Sequence, residues 1–150
     1  MFNDGHKVYG CVAAGNGYLH INARGDVEPC AFCHYSDSNI NEVSLKEAMR
    51  SPFFRAFRKA QPFTNNPLRS CPMMDTPDTF VEIVRETGAK STHRECPESA
   101  EEYALKVKDI ASEWKDVAER EYAGYPEIER RRFSVLLKYL NFKKRLSGDA

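Results

Sequence analysis

Five cysteines, at positions 11, 30, 33, 71 and 96 of 150 residues, constrain this chain more than any other feature. An odd number leaves one thiol unpaired in any disulfide scheme. The start, Met1-Phe2-Asn3-Asp4-Gly5-His6-Lys7, has no basic opening followed by an apolar run, so export is not expected and a cytoplasmic location is. In that compartment thiols stay reduced, and stable disulfides are rare. Metal binding is the remaining role for so many cysteines.

Cys30-Ala31-Phe32-Cys33 is a C-x-x-C pair, the spacing at which two thiolates grip one metal or two corners of one cluster. It follows a predicted hairpin: Tyr18-Leu19-His20-Ile21-Asn22 as a strand, Ala23-Arg24-Gly25 as the turn, and Asp26-Val27-Glu28 as the return. Gly25 supplies the positive φ that such a turn requires. Cys11 lies ahead of the hairpin, so closing the strands brings it toward Cys30. Cys71 heads Cys71-Pro72-Met73-Met74-Asp75, read as a loop between helices. Thiolates from three separated places can then meet around one centre, which would staple a region poor in regular structure.

Other readings compete on spacing alone. Free cysteines pack as small hydrophobes, and a thioredoxin-like pair would need a βαβ context that is missing here. Zinc suits four thiolates as well as an iron–sulfur cluster does. His34, next to Cys33, is an alternate ligand, although a hydrogen-bonding neighbour of the site is the simpler reading. His20 is expected in the first strand on the face opposite Ile21, and His6 and His93 toward solvent. No histidine acquires a catalytic role. Gly15-Asn16-Gly17 lacks the third glycine and the strand–helix setting of a phosphate loop.

Lys+Arg and Asp+Glu are both 22, which gives no global argument for a nucleic-acid or membrane partner. A hydrophobic fraction of 41% with 29% charged residues describes a globular chain. All the cysteines and seven of the eight prolines fall in residues 1–98, whereas 99–150 reads as helix. Two units follow, 1–98 and 99–150, in an α+β fold of a small hairpin and short helices around a metal cluster, then a C-terminal antiparallel helical hairpin.

Local signals place the helices. Ser44 with Glu47, and Ser99 with Glu102, are capping boxes. Ser51-Pro52 and Thr76-Pro77 open helices with proline at the first position, and Gly88 ends the second. Phe53, Phe54 and Phe57 make one apolar face, and Phe80, Val81 and Val84 another. In the tail, Tyr103, Val107, Ile110, Trp114, Val117 and Tyr122 recur at helical spacing. After a break at Gly124 and Pro126, Phe133, Leu136, Leu137 and Leu140 do so again. Residues 95–121 hold nine acidic and four basic side chains, against three and seven in 126–150, which favours their pairing. Arg130-Arg131-Arg132 and Lys143-Lys144-Arg145 are read as solvated helix faces rather than nucleic-acid contacts.

The pattern C-x13-G-x4-C formed by Cys11, Gly25 and Cys30 resembles the opening of a SPASM or twitch domain, an auxiliary-cluster module of radical S-adenosylmethionine enzymes. The phrases Tyr18-Leu19-His20-Ile21-Asn22 and Gly25-Asp26-Val27-Glu28-Pro29-Cys30, and the later Ser44-Leu45-Lys46-Glu47-Ala48 and Ser51-Pro52-Phe53-Phe54, extend the resemblance over about residues 8–90. It implies one auxiliary 4Fe–4S cluster on Cys11, Cys30, Cys33 and Cys71, used for electron transfer or substrate positioning. Cys96 is left as a spare, an alternate ligand or a structural thiol. The C-x2-C-x5-C-x3-C run of a two-cluster domain is missing, so a single cluster is implied. The catalytic C-x3-C-x2-C is missing too, because the position preceding the pair by four is Asp26. The expected partner is therefore a radical S-adenosylmethionine catalytic domain or a redox protein, the chain being an excised domain or a stand-alone relative. A zinc-stapled interaction module, or an independent enzyme with an open iron as Lewis acid, are the alternatives.

Overall fold

The computed structural model describes residues 10–147, apart from the side chains of residues 140, 141 and 143–147. The elements in order are β1 (His20–Ile21), β2 (Val27–Glu28), β3 (Tyr35–Ser36), α1 (Leu45–Ala48), α2 (Pro52–Ala60), α3 (Pro72–Asp75), α4 (Pro77–Thr87), β4 (Lys90–Ser91), α5 (Ala100–Ala123) and α6 (Glu127–Ser147). This is the expected α+β chain of short pieces. The hairpin is present, with His20 opposite Glu28 and Ile21 opposite Val27 in antiparallel register. Gly25 closes it at φ +87°. A second antiparallel pair, β3 with β4, was not legible in the sequence.

The free edge of β2 is covered by the segment after β3. Val27 donates its N–H to the Ser38 carbonyl at 2.9 Å, and Ile40 donates to that of Gly25 at 2.8 Å. This covering buries Val27 and Glu28 completely, although the two strands alone would leave one face open.

The helices begin where the sequence places them. Ser44 and Ser99 each complete a capping box, and Ser51 accepts from the Phe54 N–H ahead of Pro52. Thr76 starts α4 without a side-chain cap, and Gly88 ends it at φ +68°. Phe53, Phe54, Phe57 and Phe80 are fully buried between α2 and α4, with Tyr35 edge-on to Phe80 at 5.2 Å. One reading is corrected: Pro72–Asp75 is a single helical turn, not a loop, and Cys71 is its N-cap. Proline pre-sets the φ of the first helical residue, which favours such a turn.

α5 packs chiefly on α4 and α3. Its buried stripe is Ala100, Ala104, Ala111 and Ala118, whereas Ile110 is 57% exposed and Trp114 38%. Small side chains let the helix axis approach closely, so the large residues of the expected face lie at its margins. Beyond the turn, Tyr122 meets the buried Phe133 at 6.2 Å. Leu136 and Leu137 are half-buried, and the side chain of Leu140 lies outside the description. The ion pairs described on α6 run along the helix, Arg131 to Glu127 and Arg132 to Glu129. The acids of α5 reach elsewhere, Glu101 to Arg85 and Glu119 to Arg69.

A Cβ on Gly25 would stand 2.6 Å from Asn41 Nδ2 and 2.8 Å from Asn39 Oδ1, in addition to its left-handed φ. Gly25→Ala is expected to cost about 1–3 kcal/mol in a thermal or denaturant melt. Gly88→Ala, at similar φ but with no atom near the added Cβ, should cost less.

Candidate metal centre

Three chain segments carry the cysteines to one place, and backbone hydrogen bonds hold each segment there. Cys11 opens a tight coil in which Ala14 takes φ +55° and Gly15 +78°. The Ala14 N–H donates to the Pro29 carbonyl at 2.9 Å, which pins the coil beside Cys30. Arg58 of α2 donates from Nη1 to the Ala14 carbonyl at 2.7 Å and from Nη2 to that of Met49 at 2.8 Å, fixing the coil from below. Cys30 and Cys33 are joined by a turn in which the Cys33 N–H meets the Cys30 carbonyl at 3.1 Å. The Cys71 N–H donates to Asp75 Oδ2 at 2.7 Å, while the Asp75 N–H returns to the Cys71 carbonyl at 2.8 Å.

Cys11, Cys30 and Cys71 border one cavity of about 360 Å³, with Phe32, Phe57, Met73, Met74 and Tyr103 among its walls. Cys33 does not line it. That thiol is fully buried beside Cys30 and close enough to feel the charges of Cys30 and Cys71. Among the described residues, no three His, Cys, Asp or Glu side chains are gathered as tightly as a single ion requires. A tetrahedral zinc would hold its sulfurs about 3.8 Å apart, from Zn–S bonds near 2.3 Å. A cluster has bulk of its own and holds its thiolates further apart.

The chemistry of the sulfurs fits such a group. Cys11 accepts a backbone hydrogen bond from Ala13, Cys33 from Tyr35, and Cys71 from Met73 and Met74. Amides aimed at sulfur stabilise the thiolate that a metal needs. Against this, burial disfavours bare charge. It pushes the Cys11 thiol from 9.0 to about 11, and it raises Cys33 and Cys71 as well. Burial therefore outweighs the amides, and the fold favours the protonated thiols.

The two alternates lie elsewhere. Cys96 is exposed in the segment before α5. His34 Nδ1 stands 3.7 Å from Glu28 Oε1, and its ring meets that of His93 at 4.3 Å. His20 sits across the hairpin from Glu28, with Nδ1 2.6 Å from Oε2. Glu28 itself is fully buried and also accepts from Thr92 Oγ1 at 2.6 Å. Nothing in the local sequence marked this glutamate as buried, because its cover comes from the segment after β3 and from Thr92, more than sixty residues on. Asp75 was also missed, although an acid shortly after Cys-Pro is the pattern of a helix start whose side chain reaches back.

The descriptions of known families give a direct comparison. Residues 11–72 match the family model of SPASM, an iron–sulfur cluster-binding domain. The search of curated proteins found no match, and neither did the search of solved structures.

The buried thiols predict a pH dependence for the metal-free chain. An unfolded thiol titrates near 9.0 and Cys11 near 11 in the fold, so the fold favours the protonated form. That contribution is complete below pH about 9 and is lost as pH rises toward 11. The melting temperature of the metal-free protein should fall over this interval, and Cys11→Ala should lessen the fall. A melting temperature equally steep in parent and variant would contradict the assignment.

Proposed function

We propose that Cys11, Cys30, Cys33 and Cys71 hold one 4Fe–4S cluster that serves a radical S-adenosylmethionine catalytic domain or a redox partner protein, a reading supported by the match of residues 11–72 to the iron–sulfur cluster-binding SPASM family. When bound, such a cluster supplies one-electron transfer, or an iron face against which a substrate is positioned. The observation that carries this reading is that Cys11, Cys30 and Cys71, from three separate segments, border one cavity with Cys33 buried nearby.

The chain's own part is to bind, orient and shield. The coil at Cys11, the Cys30–Cys33 turn and the turn at Cys71 bring three of the thiols to one cavity. Amide N–H groups from Ala13, Tyr35, Met73 and Met74 favour the thiolate state and, with burial, set the potential. Phe57 and Met73, both buried, give the cavity apolar walls.

Cleavage of S-adenosylmethionine is assigned to the partner. Asp26 stands where a catalytic third cysteine would fall, and it is committed to the hairpin. Its carboxylate accepts from Asn22 at 3.0 Å and from Asn39 at 2.9 Å. Among the described residues no helix is long and apolar enough to cross a membrane. Five free thiols suit a reducing cytoplasm.

Purification without oxygen, a visible spectrum and counts of iron, sulfide and zinc on one sample test the proposal. A brown protein with about four irons and four sulfides per chain is expected. Colourless protein with one zinc and no sulfide would overturn it in favour of a structural zinc module. Cys30→Ala and Cys71→Ala should each abolish cluster retention, while Cys96→Ala leaves it intact. Loss of the cluster in Cys96→Ala alone would overturn the ligand assignment.

A further inference from the structure

The Cys71 segment is short and nearly devoid of regular structure, yet one long helix follows it closely. Residues 61–71 form no strand or helix, and α3 is a single turn. α5 meets this stretch at successive points. Asn66 Nδ2 donates to the Ala118 carbonyl at 3.0 Å, and Arg69 pairs with Glu119 at 3.6 Å. Further toward the start of α5, Trp114 stands beside Asp75 and favours its carboxylate, which holds the Cys71 N–H at 2.7 Å. At its first turn the Tyr103 hydroxyl donates to Met74 Sδ at 3.5 Å and lines the thiol cavity. Arg69 adds a bond from Nη2 to the Asp75 carbonyl at 2.8 Å. All these α5 residues lie beyond the segment that matches the iron–sulfur family.

We propose that α5 is a splint for the Cys71 turn, with Trp114 acting through Asp75 to position the Cys71 ligand and Tyr103 closing the cavity wall. This rests on the cluster reading above for its consequence, but not for its geometry. Trp114 supports the Asp75 carboxylate from α5, the carboxylate holds the Cys71 N–H, Arg69 holds the Asp75 carbonyl, and the sulfur is thereby aimed at the cavity. Without the splint the turn would have to be ordered by the cluster itself, at an entropic cost to binding.

Trp114→Phe keeps an aromatic side chain but removes the indole N–H, and Glu119→Gln removes the pair with Arg69. Neither residue lines the cavity. Amide hydrogen exchange on the metal-free chain gives the first readout. Residues 71–75 should exchange on the order of tenfold faster in Trp114→Phe, the factor that matches loss of one charge-assisted hydrogen bond. The hairpin at 20–28 should be unchanged, and Ile110→Ala, on the exposed side of α5, should leave both regions as in the parent. The second readout uses the iron-loaded chain. The electron paramagnetic resonance signal of the reduced cluster should change shape in Trp114→Phe, and chelator should bleach the protein several-fold faster. Unchanged exchange at 71–75 in both variants would overturn the splint, as would faster exchange spread equally over the hairpin. If the parent binds no iron and sulfide, the cluster reading fails, and exchange alone still decides whether α5 orders the turn.

Discussion

Thiols from remote parts of a chain can share one metal group only if something else first holds their backbones in place. Here that holding is done by hydrogen bonds between irregular segments, led by the Ala14 N–H on the Pro29 carbonyl and the Arg58 guanidinium on the Ala14 carbonyl. Each ordered residue of such a coil costs about 1–2 kcal/mol of backbone entropy. Hydrogen bonds to a charged donor, a buried phenylalanine core beneath and the helix α5 beside it offset that cost. The proposed cluster would meet a site already half assembled.

Electrostatics set the second constraint. Bare thiolates would be expensive in a cavity walled by Phe32, Phe57, Met73, Met74 and Tyr103. The amides of Ala13, Tyr35, Met73 and Met74 lower that expense only in part, since burial still dominates at Cys11, Cys33 and Cys71. The same low-dielectric wall that penalises empty thiolates would strengthen their attraction to the iron of the proposed cluster. Glu28, buried next to the pair, is held by His20, Asn22 and Thr92, so a nearby carboxylate is kept in place rather than left to compete for metal.

Local chemistry was legible in the sequence wherever one or two neighbouring residues decide the outcome. Gly25 fixed the hairpin, Ser44 with Glu47 and Ser99 with Glu102 fixed helix starts, and Phe53, Phe54 and Phe57 announced the core. Cys11, Cys30 and Cys71 border one cavity, whereas Cys33, expected with them as a fourth ligand, is buried and does not line it. What depends on distant partners was not legible. β3 pairs with β4 across more than fifty residues, and Tyr35 and Lys90 carry no mark of that meeting. Periodicity selected the large residues of α5 as its buried face, but close approach to α3 and α4 buries alanines instead. The roles of Asp75 and Trp114 follow from that approach and could not be read without it.

The central claim is that these thiols surround a cluster rather than a lone ion. Iron-edge X-ray absorption on the chain loaded without oxygen tests it most directly, because it sees the neighbours of each metal atom. The account predicts a first shell of sulfur alone and a second shell of iron at short range. A shell containing nitrogen or oxygen, or sulfur with no iron beyond it, would contradict the account.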